Sequence, residues 1–247
     1  MYTSGRYEIN SKGSNLIIDA LVKLNEDLKK SRQNKNLVFF FLIPLGEPKP
    51  NYEIKENLEN LKLGYELNIN QDNKEKLPPV TTHDIDDNVL LKKMFYEKGL
   101  DNRKENKVKV VFVPRYLDGV DEIFNLNYYK MIRGFDFGIF PSYYEPWGYT
   151  PLESIANSVP AVSSDLSGFG RYINKHFNGE ETLKVIQRHN KSYEESRDQL
   201  YKVMKNQIKI SKRRQLISKL QAKKFSENFS WEKLSFDYTS AYLKSKK

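Results

Sequence analysis

The sequence predicts an α/β fold in which helices cover both faces of a parallel sheet, and three observations carry that prediction. Apolar runs of strand length recur, Val38 to Pro44 (VFFFLIP) and Val108 to Val113 (VKVVFV) among them, as expected of strands buried on both faces. Between them lie segments with apolar residues at helical spacing, most clearly Leu16, Ile17, Ala20, Leu21, Leu24 and Leu28. At residues 141 to 170 (PSYYEPWGYTPLESIANSVPAVSSDLSGFG) a short strand feeds a helix through a polar and aromatic loop, and such junctions are where α/β proteins build sites.

Taken in order, the chain opens on a short strand whose end, with the start of the following helix, holds SGRYEINSKG (Ser4 to Gly13). That helix stops in a turn rich in Lys, Ser and Asn, and the strand from Val38 follows. Residues 45 to 106 mix Pro-containing loops with charged helical segments and read as an elaborated crossover, because the strand at Val108 restores the earlier rhythm. After Pro114 come a loop, a short helix at Tyr128 to Ile132, a buried strand at Phe135 to Pro141, and a helix opened by Pro151. A strand at Ala161 to Ser164, a Gly-rich turn at Ser167 to Gly170, a helix through Tyr172 and Ile173, and a last strand at Leu183 to Ile186 complete the sheet. From Tyr193 the chain is mostly helical, broken near Phe229 and Ser230, with Trp231, Leu234, Phe236, Tyr238 and Tyr242 as a second apolar stripe. The division expected is one domain over residues 1–192, with 45–106 as its insertion, and a helical extension over 193–247.

A chain of 247 residues suits one large domain. The sequence has no cysteine, which removes disulfides and thiolate metal sites and fits a reducing compartment. The longest apolar run, Leu37 to Leu45, is far shorter than a membrane span, and the N-terminus carries no signal-peptide pattern, so a cytoplasmic protein without a membrane partner is expected. A net charge of +9 invites comparison with phosphate-backbone binders. Much of the excess gathers in Lys202 to Lys224, and lysine outnumbers arginine, as on an ordinary solvated surface, so no nucleic-acid partner is expected.

The junction at 141–170 concentrates the chemistry. Thr150, Pro151 and Glu153 read as a capping box with Pro at the first helical position, and backbone N–H groups at such a helix start favour an anion such as a diphosphate. Two carboxylates, Glu145 and Glu153, raise the possibility of a glycosidase pair. Their placement beside the anion site speaks instead for sugar hydroxyls, since carboxylates repel a diphosphate. A leaving diphosphate needs cations or a metal, and Arg6 and Lys12 stand near the end of the first strand. Asp84 and Asp86 form an Asp-x-Asp of a metal-binding kind but lie within the insertion, and His83, His176 and His189 are scattered, so neither metal nor cofactor is expected. Tyr116 and Tyr128 are aromatic faces on which a base could stack.

The segments SYYEPWGYTPLE and SDLSGFG, with SGRYEINSKG, LPPVTTHD, VFVPRYL, NYYKMIRGFDFGIFPS and a basic helix ending in SW, resemble the donor-binding half of glycogen synthases of the animal and fungal type, in family order over almost the whole chain. These are retaining glycosyltransferases of GT-B architecture, two Rossmann-like domains facing a cleft. The resemblance implies a single Rossmann-like domain corresponding to the C-terminal half. It implies transfer of glucose from UDP-glucose or ADP-glucose to an α-1,4-glucan acceptor, with an acceptor-binding N-terminal domain that this sequence lacks. The alternative is a non-catalytic nucleotide-sugar-binding subunit.

By the same resemblance Arg6 and Lys12 grip the diphosphate without a metal, Glu145 contacts the transferred hexose, and Glu153 the ribose. Tyr116 and Tyr128 hold the base, while Tyr149 and Thr150, with Trp147 and Gly148 beside them, lie against the phosphates. The final helix is expected to pack across the partner domain. In relatives the basic helix is rich in arginine and senses glucose 6-phosphate. Here Arg213 and Arg214 stand among lysines, poorer bidentate clamps, so a solvated helix is expected instead.

Overall fold

The computed structural model describes residues 1–31, 35–65, 78–177 and 182–246. Six parallel strands form one sheet: β1 (Tyr2–Ser4), β2 (Leu37–Leu42), β3 (Val108–Val113), β4 (Gly138–Ile139), β5 (Ala161–Ser164) and β6 (Leu183–Ile186), in the order β3-β2-β1-β4-β5-β6. The helices are α1 (Ser14–Lys30), α2 (Tyr52–Lys62), α3 (Leu90–Glu97), α4 (Tyr128–Ile132), α5 (Tyr149–Ala156), α6 (Gly168–His176), α7 (Tyr193–Lys209), α8 (Lys212–Ser226) and α9 (Trp231–Ser245). The strand order reverses between β1 and β4. From the carboxyl ends of those two strands the chain runs to helices on opposite faces of the sheet, α1 and α5, and this reversal point is the usual ligand position in doubly wound sheets.

Two apolar layers follow from strand periodicity. On one face α1, α3 and α7 cover Phe39, Phe41, Val108, Val110 and Phe112. On the other, α4, α5, α6 and α8 cover Tyr2, Leu42 and Val113, and the intervening Phe40 packs there too. Complete burial of a side chain such as Phe41 stabilises the fold by about 1.5–3 kcal/mol. Tyr2 stacks on Phe135 with ring centroids 4.7 Å apart and meets Phe140 edge-on, which ties the central strand to β4.

Segments 45–65 and 78–106 connect β2 to its neighbour β3 through α2 and α3, while residues 66–77 of the expected insertion, including Leu77 of LPPVTTHD, lie outside the described residues. Three local expectations are corrected. The strand expected at Phe135 to Pro141 contracts to two residues, although Phe137 and Phe140 extend its backbone pairing. The SGFG turn is the start of α6 itself, with Ser167 as N-cap accepting from the Gly170 N–H. The basic helix α8 is not wholly solvated: Ala222 and Phe225 are buried, and the Lys223 ammonium donates to the Ala156 carbonyl of α5 at 2.9 Å. In α9 the apolar stripe is largely exposed, Trp231, Phe236, Tyr238 and Tyr242 at 60% to 75%, and Leu234 alone of the five packs on the core.

Candidate active site

The β1–α1 and β4–α5 loops meet at the reversal point of the sheet. Lys12, on the first, and Glu145, on the second, form an ion pair in which each side chain is about four-fifths covered. Beside it opens a cavity of about 280 Å³ lined by Arg6, Arg115, Tyr116, Tyr128, Thr150 and Glu153, among others. Five residues singled out from the sequence, Arg6, Tyr116, Tyr128, Thr150 and Glu153, thus share one cavity although up to 147 positions separate them. A larger cavity of about 600 Å³, lined by Lys184, Arg214 and polar side chains of α7 and α8, lies away from the carboxyl ends of β1 and β4.

The helix start in this site differs from the expected capping box. Gly148, in the left-handed region at φ 109°, is the N-cap of α5 and supplies no side-chain cap. Thr150 and Pro151 are therefore the second and third residues of the helix. Pro151 remains in the first turn, where a missing N–H breaks no helical hydrogen bond. Glu153 lies too deep to close a box, and its Oε1 accepts from the Tyr129 hydroxyl at 3.1 Å. Thr150, in this first turn, lines the cavity, so the positive end of the helix lies beside it.

Tyr128 is half-buried, and its hydroxyl shares a hydrogen bond of 2.8 Å with Ser4 Oγ. Burial, with a smaller contribution from Glu153, raises its pKa, so the phenol stays neutral and its ring keeps an apolar face. The Tyr129 pKa is raised chiefly by the Glu153 charge and then by the hydrogen bond to it. Tyr116 is exposed at the cavity rim, and Arg6 is largely exposed in a loose pair with Glu8 at 3.3 Å. Such a surface pair is released at little cost, about 0–1 kcal/mol. Tyr149 is exposed beside the helix start, whereas Trp147 is half-buried against Phe169 and Tyr172. The Glu145 carbonyl accepts from Gly168 N–H at 2.9 Å and so joins the loop to the start of α6.

Asp84 accepts from Asn51 at 3.2 Å and Asp86 caps Asn88 N–H at 2.7 Å. Among the described residues no group of three or more acidic or His side chains is placed to hold a metal ion. Sequence reasoning missed Arg115 and Arg188. Arg188 is buried behind the two loops, and burial lowers its pKa.

The family model for glycogen synthase matches residues 48–247. The glycogen (starch) synthase of Caenorhabditis elegans is 32% identical over 284 residues, covering 96% of this chain and 42% of that protein. Isoform 1 from Saccharomyces cerevisiae is 29% identical, covering 97% of this chain and 42% of its own, and the human liver enzyme is 28% identical, covering 98% and 40%. The chain thus spans about two-fifths of the length of the curated relatives it matches. Among solved structures, the N-terminal domain of Candida albicans trehalose-6-phosphate phosphatase has a TM-score of 0.53 at 10% identity, covering 98% of this chain and 41% of that one, a likeness of fold alone.

Proposed function

Because this chain belongs to the glycogen synthase family, we propose that it is the donor-binding half of a retaining GT-B glycosyltransferase, taking UDP-glucose or ADP-glucose and serving an α-1,4-glucan acceptor. The observation that carries this reading is the convergence of Arg6, Tyr116, Tyr128, Thr150 and Glu153 on one cavity at the reversal point of the sheet, beside the Lys12–Glu145 pair. In it, Tyr116 and Tyr128 hold the base, Glu153 the ribose, and the first turn of α5, through Tyr149 and Thr150, the phosphates. Arg6 and Lys12 offset the charge that grows on the diphosphate as the glucosyl bond breaks. Glu145 holds the hexose hydroxyls, and donor binding exchanges its contact with Lys12 for contacts with the two ends of the donor. Residues 1–192 form the domain that binds the donor and 193–247 its helical extension, whose exposed aromatic face on α9 docks on the acceptor-binding domain. The reaction takes place in the cytoplasm.

Calorimetric titration with UDP, ADP and UDP-glucose tests the reading. Each charge-assisted hydrogen bond to a diphosphate contributes about 1.5–3 kcal/mol, so Arg6→Ala or Lys12→Ala lowers UDP affinity about tenfold to a hundredfold. EDTA leaves binding unchanged. Absence of saturable binding in the parent chain, or undiminished affinity in both variants, overturns it.

A further inference from the structure

We infer that Arg188 is a positioning residue that sets the Lys12–Glu145 pair by clamping the β1–α1 loop to the β4–α5 loop. Its guanidinium Nη1 donates to the Pro141 carbonyl at 2.5 Å, and its Cζ lies over the Tyr143 ring, 4.7 Å from the ring centre, so one side chain grips both ends of Pro141–Tyr143. The same segment is fastened to the residues on either side of Lys12. Backbone N–H groups of Tyr143 and Tyr144 both donate to the Ser11 carbonyl, at 2.7 and 3.3 Å. Gly13, at φ 74°, presses so closely on Pro141 that a Cβ there would lie 2.4 Å from its carbonyl oxygen and 3.3 Å from Arg188 Nη1. Ser11 and Gly13 flank Lys12, and Glu145 follows Tyr143 by two residues, so the clamp fixes the approach of both charged groups.

Arg188 is itself held in place. Asp165 accepts the backbone N–H groups of Arg188 and His189 at 2.7 and 3.2 Å, which anchors the segment after β6 to the end of β5. The arrangement is a poor device for stability alone. An arginine only 7% exposed, with its Nε left without a hydrogen-bond partner and no carboxylate bonded to its side chain among the described residues, bears a desolvation cost that an apolar side chain of similar size would avoid. Its geometry instead spans two loops that an apolar residue would leave free to slide.

The test compares Arg188→Met, Arg188→Lys and, at the exposed rim of the clamp, Tyr143→Leu in the full chain. Trace acetylation with acetic anhydride, read by peptide mass spectrometry, reports how well the pair shields Lys12 and is independent of any donor. UDP titration reports the same geometry but rests on the proposed donor site. Arg188→Met raises Lys12 acetylation severalfold and lowers UDP affinity about tenfold, the effect of misaligning one charge-assisted contact. Arg188→Lys restores most of both, and Tyr143→Leu moves acetylation in the same direction by less. In a Lys12→Ala background Arg188→Met has no further effect on UDP affinity, because the two changes act through one group. Unchanged Lys12 acetylation in both Arg188→Met and Tyr143→Leu, or additive losses of affinity, overturns the inference and leaves Arg188 a packing residue. Should Arg188→Met fail to fold, Tyr143→Leu decides by acetylation. Should the parent chain not bind UDP, the donor reading fails while acetylation still decides the clamp.

Discussion

At the scale of single residues the proposed function gives the two glutamates of the junction different partners. Glu153 accepts from Tyr129 and takes no part in capping α5, so Glu153→Gln keeps an oxygen for Tyr129 and leaves the helix start untouched. Loss of its charged contact to a ribose lowers UDP affinity by about 1–2 kcal/mol, with melting temperature nearly unchanged. Glu145→Gln removes the partner of Lys12, which frees that ammonium for the diphosphate: UDP affinity holds or rises, while the advantage of UDP-glucose over UDP shrinks. Titrations of both ligands with melting curves check this, and equal losses for both ligands at Glu145, or none at Glu153, contradict the assigned roles. That these glutamates lie close to one loop and helix start was legible in the sequence because they sit in one contiguous motif. Arg188 was not, because its partner is a backbone carbonyl 47 positions away, and a carbonyl leaves no mark on residue identity.

Elements were legible where burial on both faces leaves a continuous apolar run, as at β2 and β3, and where a helix has one apolar stripe, as in α1. Caps were harder to place. Thr150, Pro151 and Glu153 carry the right spacing for a box, yet the left-handed Gly148 starts the helix earlier, and only backbone conformation distinguishes the two. Ser167 shows what a true cap does here: its hydroxyl bonds Ser163 Oγ, the Ser164 carbonyl and Gly170 N–H while fully buried. Ser167→Ala costs about 1–2 kcal/mol, the loss of an N-cap with a buried hydroxyl left short of a partner. Ser211→Ala, at the exposed N-cap of α8, costs nearer ~0.5 kcal/mol. Urea unfolding of both variants measures the difference, and equal costs contradict the role given to burial.

For the molecule as a whole, transfer requires donor and acceptor to be held together, and such positioning supplies about 7–11 kcal/mol of a barrier. The chain, which spans two-fifths of its relatives, is therefore expected to bind UDP-glucose yet give background incorporation into glycogen in a radiolabel assay. Turnover on the order of 1 per second by this chain alone contradicts that expectation. If glucosyl transfer stays absent when the acceptor-binding domain of a relative is supplied, the chain is a nucleotide-sugar-binding subunit instead.

The fold class, most strands and the identity of the junction were determined by the sequence alone, because periodicity, turn residues and contiguous motifs are local properties of the chain. Strand order, the meeting of Lys12 with Glu145 across 133 positions, and the clamp at Arg188 were decided only by tertiary structure. The physical reason is that a crossover buries its ends side by side whatever its length. Which loops share a crevice therefore depends on the order in which strands pair, and one stretch of sequence contains no record of its distant neighbour.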